Sequence, residues 1–263
     1  MKIVVCVKYV PDIQADRSLG ADGRVVRDGG DGTLNELDEN AVEAALVLAE
    51  AAGDSEVVAL TVGPAGAEDA VRRALQIGAD RAVLVRDDAV AGSDVFGTVA
   101  VLAAAVRRLG EDGPVDLVLT GMAALDGLTS LLPAALATEL DLPQLTLAAE
   151  VAVEGGTVRV RRELDGASET LTAPLPALVS VTDQANSPRY PNFKGIMAAR
   201  KKPLEVLALA DVGVDPAAVG AAGARTRIVE ASPRPPREDR VLLTDDGTAG
   251  TRLAQYLADR KLI

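Results

Sequence analysis

Apolar runs of strand length alternate with segments of helical period through the first 145 residues. This alternation predicts a parallel sheet joined by crossover helices. Ile3 to Val7, Glu56 to Val62, Ala82 to Val85 and Val115 to Thr120 read as buried strands, with amphipathic segments between them. Asn35 stands where it would cap a helix, with Asp38 and Glu39 in the first turn and Val42, Ala45, Leu46 and Ala49 on one face. A second helix opens at Glu68 and Asp69, each four residues before Arg72 or Arg73, and closes at Gly78. A third runs from about Ser93 to Leu109, and a fourth starts after Gly127 and ends near Leu140.

After Pro143 the pattern changes to strands without long helices: Leu145 to Val153, a Gly155-Gly156 turn, Thr157 to Glu163, and a run around Thr170 to Val181. A glycine pair between alternating runs signals a hairpin, so an antiparallel addition is expected. From Asp215 onward the chain is rich in Ala, Gly, Pro and charge, including the Ser232-to-Arg237 proline-arginine run, before a last amphipathic helix from Thr251 to Leu262. Such a stretch reads as an arm laid over something else. The expected fold is therefore α/β, a doubly wound, mostly parallel sheet of the nucleotide-binding type. It comprises a domain over 1–214 and an extended C-terminal arm over 215–263.

Composition narrows the chemistry. With 48% apolar residues among 263 the chain fills a large core unaided, and its single cysteine, Cys6, allows no internal disulfide. A reducing compartment, the cytoplasm, is the expected location. The short apolar opening, broken at Pro11-Asp12, reads as a strand and not as a signal or spanning segment, so no membrane insertion is expected. A net charge of −12 disfavours nucleic acid as a partner. Histidine and tryptophan are absent, which removes the commonest general base and metal ligand.

In an open parallel sheet, ligands bind beyond the carboxyl ends of the strands. The loops expected there are Cys6 to Asp12, Asn35 to Asp38, Val62 to Gly66 and Gly121 to Ser130. Asp126-Gly127-Leu128-Thr129-Ser130 would open a helix with small and hydroxyl groups, which suits a phosphate or an ordinary capped turn. Neither GxxxxGK[ST] nor GxGxxG occurs. Cys6 reads as a buried small hydrophobe, Asp126 as a helix cap or an acid acting on substrate, and Glu163, beside Arg161 and Arg162, as a surface ion pair.

The segment Ser187 to Lys202 holds five basic residues and no acid, leaving −17 on the other 247 positions. It also carries Tyr190, Phe193 and Met197 in a chain with only two Phe and three Tyr. Charges that steer and an aromatic that fills a pocket suit a docking surface, and the other reading is a loop whose Phe points into the core.

The run from Ala185 to Lys202, preceded by Val160-Arg-Arg-Glu-Leu-Asp-Gly166, resembles the beta subunit of electron-transfer flavoproteins. Val4 to Asp12, Asn35-Glu-Leu-Asp-Glu-Asn-Ala-Val-Glu43, Ala74-Leu-Gln-Ile-Gly-Ala-Asp-Arg81 and Leu253-Ala-Gln-Tyr-Leu257 carry the likeness in order over essentially the whole chain. The resemblance implies a heterodimeric electron carrier, not an enzyme. Its alpha subunit would hold most of one FAD, and the beta subunit would bury an AMP, with the C-terminal arm packed on the alpha subunit. By matching positions the AMP site comprises Cys6, Asn35, Glu36, Leu37, Asp38, Val62, Gly121, Met122, Ala123, Ala124, Leu125, Asp126, Gly127, Leu128, Thr129, Ser130, Leu131 and Leu132. Glu163 matches a glutamate near the flavin.

Electrons would pass from flavoprotein dehydrogenases, such as the acyl-CoA dehydrogenases of fatty acid beta-oxidation, to a quinone reductase or other acceptor. Phe193 falls where relatives place an apolar anchor for those partners, among Pro188, Arg189, Tyr190, Lys194, Ile196, Met197, Arg200 and Lys201. Two departures matter: Gly127 to Leu132 lacks the amide-rich run of some relatives, and Ile13 replaces a tyrosine near the flavin. The other readings are a bifurcating carrier with FAD in place of AMP, and a stand-alone adenine-nucleotide enzyme using Asp126.

Overall fold

A computed structural model describes residues 1–15, 17–27, 32–236, 238 and 240–263 of the chain; Arg237, the end of the proline-arginine run, lies outside the described residues. The apolar strand β1 (Lys2–Cys6) is followed by β2 (Tyr9–Pro11), β3 (Gly32–Leu34), α1 (Glu36–Ala52), β4 (Glu56–Val62), α2 (Glu68–Ile77), β5 (Arg81–Val85), α3 (Val95–Leu109), β6 (Leu117–Gly121) and α4 (Leu132–Leu140). Then come β7 (Gln144–Glu154), β8 (Thr157–Leu164), β9 (Ala167–Pro174), β10 (Ala177–Val181), α5 (Phe193–Ala199), β11 (Leu204–Leu207) and a terminal helix, α6 (Ala249–Asp259).

Nine strands among the described residues form one sheet in the order β11-β5-β4-β1-β6-β10-β7-β8-β9, and β2 pairs β3 in a separate antiparallel ribbon. From β11 to β7 every neighbour is parallel; β8 and β9 extend the sheet antiparallel. The parallel strands are apolar on both faces because helices cover both. Ile3, Val5, Ala59 and Leu119 pack with Ala41, Ala45 and Leu75 of α1 and α2. Val4, Leu60 and Val118 pack on the other face with Val99, Leu102 and Leu136 of α3 and α4. The expected doubly wound sheet with an antiparallel addition is thus present.

Three local expectations change. The run from Thr170 to Val181 is two strands, and the second, β10, returns to the parallel core between β6 and β7. The fourth helix starts at Leu132, five residues after Gly127. Residues 215–229, which the sequence places with the arm, pack in the first of two compact units, Met1–Val229. Val219 is buried there, Gly220 N donates to Ser93 Oγ at 2.8 Å, and Asp94 at the start of α3 accepts from Arg225 N and Thr226 N at 2.8 Å. The second unit, Glu230–Ile263, contains α6, and none of its described residues is buried. Among the described residues no helix is long and apolar enough to cross a membrane.

Candidate functional site

The chain leaves β1 for β4 on one side through α1 and later reaches β6 on the other side of β1 through α3. The carboxyl ends of β1 and β6, with Cys6 opposite Thr120, therefore flank the switch point where doubly wound sheets bind ligands. The loops leaving these ends, together with the start of α1, meet there.

Asn35 precedes α1, but its side chain makes no cap bond. Instead it reaches across the switch point: Nδ2 donates to Ala123 O at 2.9 Å, and Oδ1 accepts from Leu125 N at 3.0 Å. Its own N–H donates to Lys8 O at 2.9 Å. One buried amide thus ties the loop after β1, the start of α1 and the loop after β6. Asp38, three residues on, accepts from Lys8 N at 2.8 Å. Burial raises its carboxyl to about 7, against the pull of hydrogen bonds from Asn35, Lys8 and Gly121 and of the Lys8 charge. The Cys6 thiol is pushed up to about 12 by burial first and the Asp38 charge second, so it stays a neutral thiol.

Gly121 makes this junction possible. A Cβ there would lie 2.5 Å from Asp38 Oδ1 and 2.7 Å from Leu37 O. Beyond it the chain turns tightly, with Gly127 N and Leu128 N both donating to Ala124 O and Leu128 at φ 51°. A leucine in the left-handed region is uncommon and costs backbone energy, so this turn is held by its surroundings. Gly127, Leu128, Thr129, Ser130 and Leu131 are exposed, while Met122, Ala124, Leu125 and Leu132 are half-buried. They lead into α4, whose first turn has no side-chain cap. Its leading N–H groups face the helix end at which anions are favoured.

Asp126 is neither the expected helix cap nor a free acid. Its side chain is fully buried, with Lys8 Nζ at 2.8 Å and Arg27 Nε at 2.5 Å. Burial opposes its ionisation, but the two cations outweigh burial and hold the carboxyl below the usual range. A carboxylate so engaged is a strut, and Arg17 adds a bond to the neighbouring Leu125 O. Sequence reasoning missed Lys8, Arg17 and Arg27, and also Thr61 and Thr120. The hydroxyls of Thr61 and Thr120 are buried at the carboxyl ends of β4 and β6 with no hydrogen-bond partner among the described residues. Their signal is a polar residue closing an apolar strand.

The structure brings Cys6, Asn35, Leu37, Asp38, Gly121, Ala123, Leu125 and Asp126 together. Glu36 is exposed on the first turn of α1, and Val62 ends β4, one strand over. Glu163 lies apart: register runs from Gly121 through Val181 and Ala148 to Arg162, three strand spacings, or about 14 Å. It pairs with Arg161, as a surface ion pair would.

The basic segment forms another surface. Tyr190 is 87% and Phe193 79% exposed, so neither fills the core. Lys194, Met197, Arg200 and Lys201 are also exposed, with Ile196 and Pro188 partly covered. Arg189 is turned inward, bound to Glu43 at 2.8 Å and Glu50 at 2.5 Å on α1. Asn40 and Asn186 exchange hydrogen bonds beside it at 2.9 and 3.0 Å. Arg73 of α2 lies over the Tyr190 ring, 5.4 Å from its centroid.

A family model described as "Electron transfer flavoprotein domain" matches residues 22–212. "Electron transfer flavoprotein subunit beta" of Mycobacterium tuberculosis is 42% identical over 266 aligned positions covering 99% of each chain. The protein of the same name from Megasphaera elsdenii is 35% identical over 92% of this chain and 91% of its own. "Caffeyl-CoA reductase-Etf complex subunit CarD" of Acetobacterium woodii is 33% identical over 99% of this chain and 97% of its own.

Proposed function

The chain belongs to the electron transfer flavoprotein family as a beta subunit, and we propose that it buries AMP at the β1/β6 switch point and, with an alpha subunit, helps hold one FAD. The observation that carries the nucleotide reading is the unpartnered buried hydroxyl of Thr120, next to Gly121 at the carboxyl end of β6; a second such hydroxyl, Thr61, lies near the carboxyl end of β4, two strands away. A buried hydroxyl without a partner costs about 1–3 kcal/mol, and a polar ligand removes that cost. The uncapped start of α4, with Thr129 and Ser130 leading into it, suits a phosphate. Ala123 and Val62 offer apolar surface to a base.

In this reading Asn35 and the Lys8–Asp126–Arg27 strut hold the loops in a binding geometry before the nucleotide arrives, so little ordering is needed on binding. The family resemblance implies that backbone groups do much of the holding, so the missing amide-rich run in 127–132 bears on the side-chain contacts to AMP. FAD, when bound, supplies the electron-transfer chemistry. On this side of the heterodimer, Ile13 and the Glu163 strand are the surfaces assigned to it. The engaged Asp126 removes the acid that a stand-alone adenine-nucleotide enzyme would need.

Donors would be flavoprotein dehydrogenases and the acceptor a quinone reductase, both docking transiently at 188–201 with Phe193 as the apolar anchor. Phe193→Ala should leave FAD content unchanged and slow reduction by an acyl-CoA dehydrogenase roughly thirtyfold, the effect of losing about 2 kcal/mol at a buried hot spot. Unaltered reduction kinetics would remove the anchor role. The broader test is mass spectrometry of ligands released from the co-purified heterodimer, with about one AMP and one FAD per pair expected. Two FAD and no AMP would replace this reading with the bifurcating one.

A further inference from the structure

The cations of Ser187 to Lys202 divide into those that face solvent and those used inside the fold, and Lys202 belongs to the second group. Its ammonium donates to the carbonyl oxygens of Leu75, Gly78 and Ala79 at 3.2, 2.9 and 2.6 Å. Leu75 lies in the last turn of α2 and Gly78 and Ala79 in the turn that follows it, so each ammonium proton has an acceptor and the charge sits near the negative end of the helix. Helix α5, at seven residues, is far too short to hold in water by itself.

A local cap starts α5, with Asn192 Oδ1 accepting from Gly195 N at 2.8 Å, but what holds it is tertiary: Ala199 is buried at its end. Between them, Gly195 passes so close to α2 that an added Cβ would stand 3.0 Å from Gln76 O. Lys202 follows Ala199 by three residues and closes the attachment to the same end of α2. Phe193 is the first residue of α5 and, being largely exposed, has no packing of its own to fix its direction.

We propose that Lys202 is a positioning residue for partner recognition: by binding the carbonyl end of α2 it holds α5 in the one orientation that presents Phe193 outward. This rests on the docking role proposed above for the loop. A loop already ordered in its docking shape loses less freedom on association, so the residue acts on affinity without touching the partner. Exposed Lys201 beside it would act by charge alone.

The test uses the heterodimer purified with its alpha subunit and an acyl-CoA dehydrogenase as electron donor. Lys202→Met should raise the KM for the carrier about tenfold by lowering the docking-competent fraction, with kcat within about twofold of wild type and FAD content unchanged. Amide exchange in 194–199 should quicken in the same variant. Lys202→Arg, which keeps charge and donors, should restore most of the affinity, and Lys202→Gln serves if Lys202→Met does not assemble. Lys201→Met should change the salt dependence and leave exchange as in wild type. If Phe193→Ala raises KM while Lys202→Met and Lys202→Gln leave both KM and exchange unchanged, the positioning role is overturned and the docking reading stands. If Phe193→Ala itself leaves KM unchanged, the docking reading falls and this inference with it.

Discussion

Gly121→Ala should cost the folded chain about 3 kcal/mol and, on the AMP site proposed above, abolish nucleotide retention. The added Cβ would meet Asp38 Oδ1 at 2.5 Å and Leu37 O and C at 2.7 and 2.8 Å. None of these is the end of a flexible side chain. Leu37 contributes backbone from the first turn of α1, and Asp38 is tied to Lys8 N. The turn itself follows Asn35, bound to the loop after β6 by its side chain and to the loop after β1 by its N–H. Relief therefore requires α1 and β6 to separate, and this displaces Ala123 to Leu125 as well. For a unit of this size the loss corresponds to roughly 6–12 °C in Tm. Gly127→Ala is the control, since its Cβ would find nothing nearer than 3.9 Å and should change little. Thermal melts and AMP released by acid decide the matter: a Gly121→Ala protein that melts with the wild type and retains AMP would refute the tight junction.

Much of the fold was legible because period decides element type. Val4 to Val7 and Val57 to Leu60 are continuous apolar runs, as buried parallel strands must be, and Glu68 with Arg72 marks one helix face, where the two form an ion pair at 2.5 Å. The return of β10 to the parallel core was not legible. Strand partners are chosen over long range, and only Pro174 and Pro176 within the run marked the break. Val219 illustrates the same limit: its neighbours are Ala- and Gly-rich and read as part of an arm, yet the backbone around it is bound by Ser93 and Asp94 over more than a hundred residues.

At the site, sequence pointed to the right loops and misread what several side chains do there. Asn35 and Asp126 occupy positions where capping is the usual role, and both act instead across the switch point. The partners of Asp126 lie 118 and 99 residues away, a separation that no local pattern encodes. The charge excess of Ser187 to Lys202 was visible at once. Its division was not, because Arg189 and Lys202 are spent on α1 and on the end of α2, leaving Lys194, Arg200 and Lys201 exposed.

Asp38 should make the wild type lose stability as pH rises from about 4 to about 7, and Asp38→Asn should remove that loss. Burial raises its carboxyl from 3.8 to about 7 in the folded chain, so between those values the folded state binds more protons than the unfolded one. Stability then falls with rising pH and levels off above about 7, by a total of order 4 kcal/mol. Cys6, pushed up to about 12 by burial, does not blur the window, because it remains a thiol throughout. Carboxylates held low, such as Asp126 beside Lys8 and Arg27 and the capping Asp94, push the other way and gain stability as pH rises. The quantity to measure is therefore the difference between wild type and Asp38→Asn in denaturant melts at pH 5, 6, 7 and 8. Asparagine is the same shape and mimics the protonated acid, so the variant should gain on the wild type steadily up to pH 7 and hold its lead at pH 8. A difference that stays flat across the four pH values would mean that the three hydrogen bonds from Asn35, Lys8 and Gly121 outweigh burial and that Asp38 is already ionised throughout.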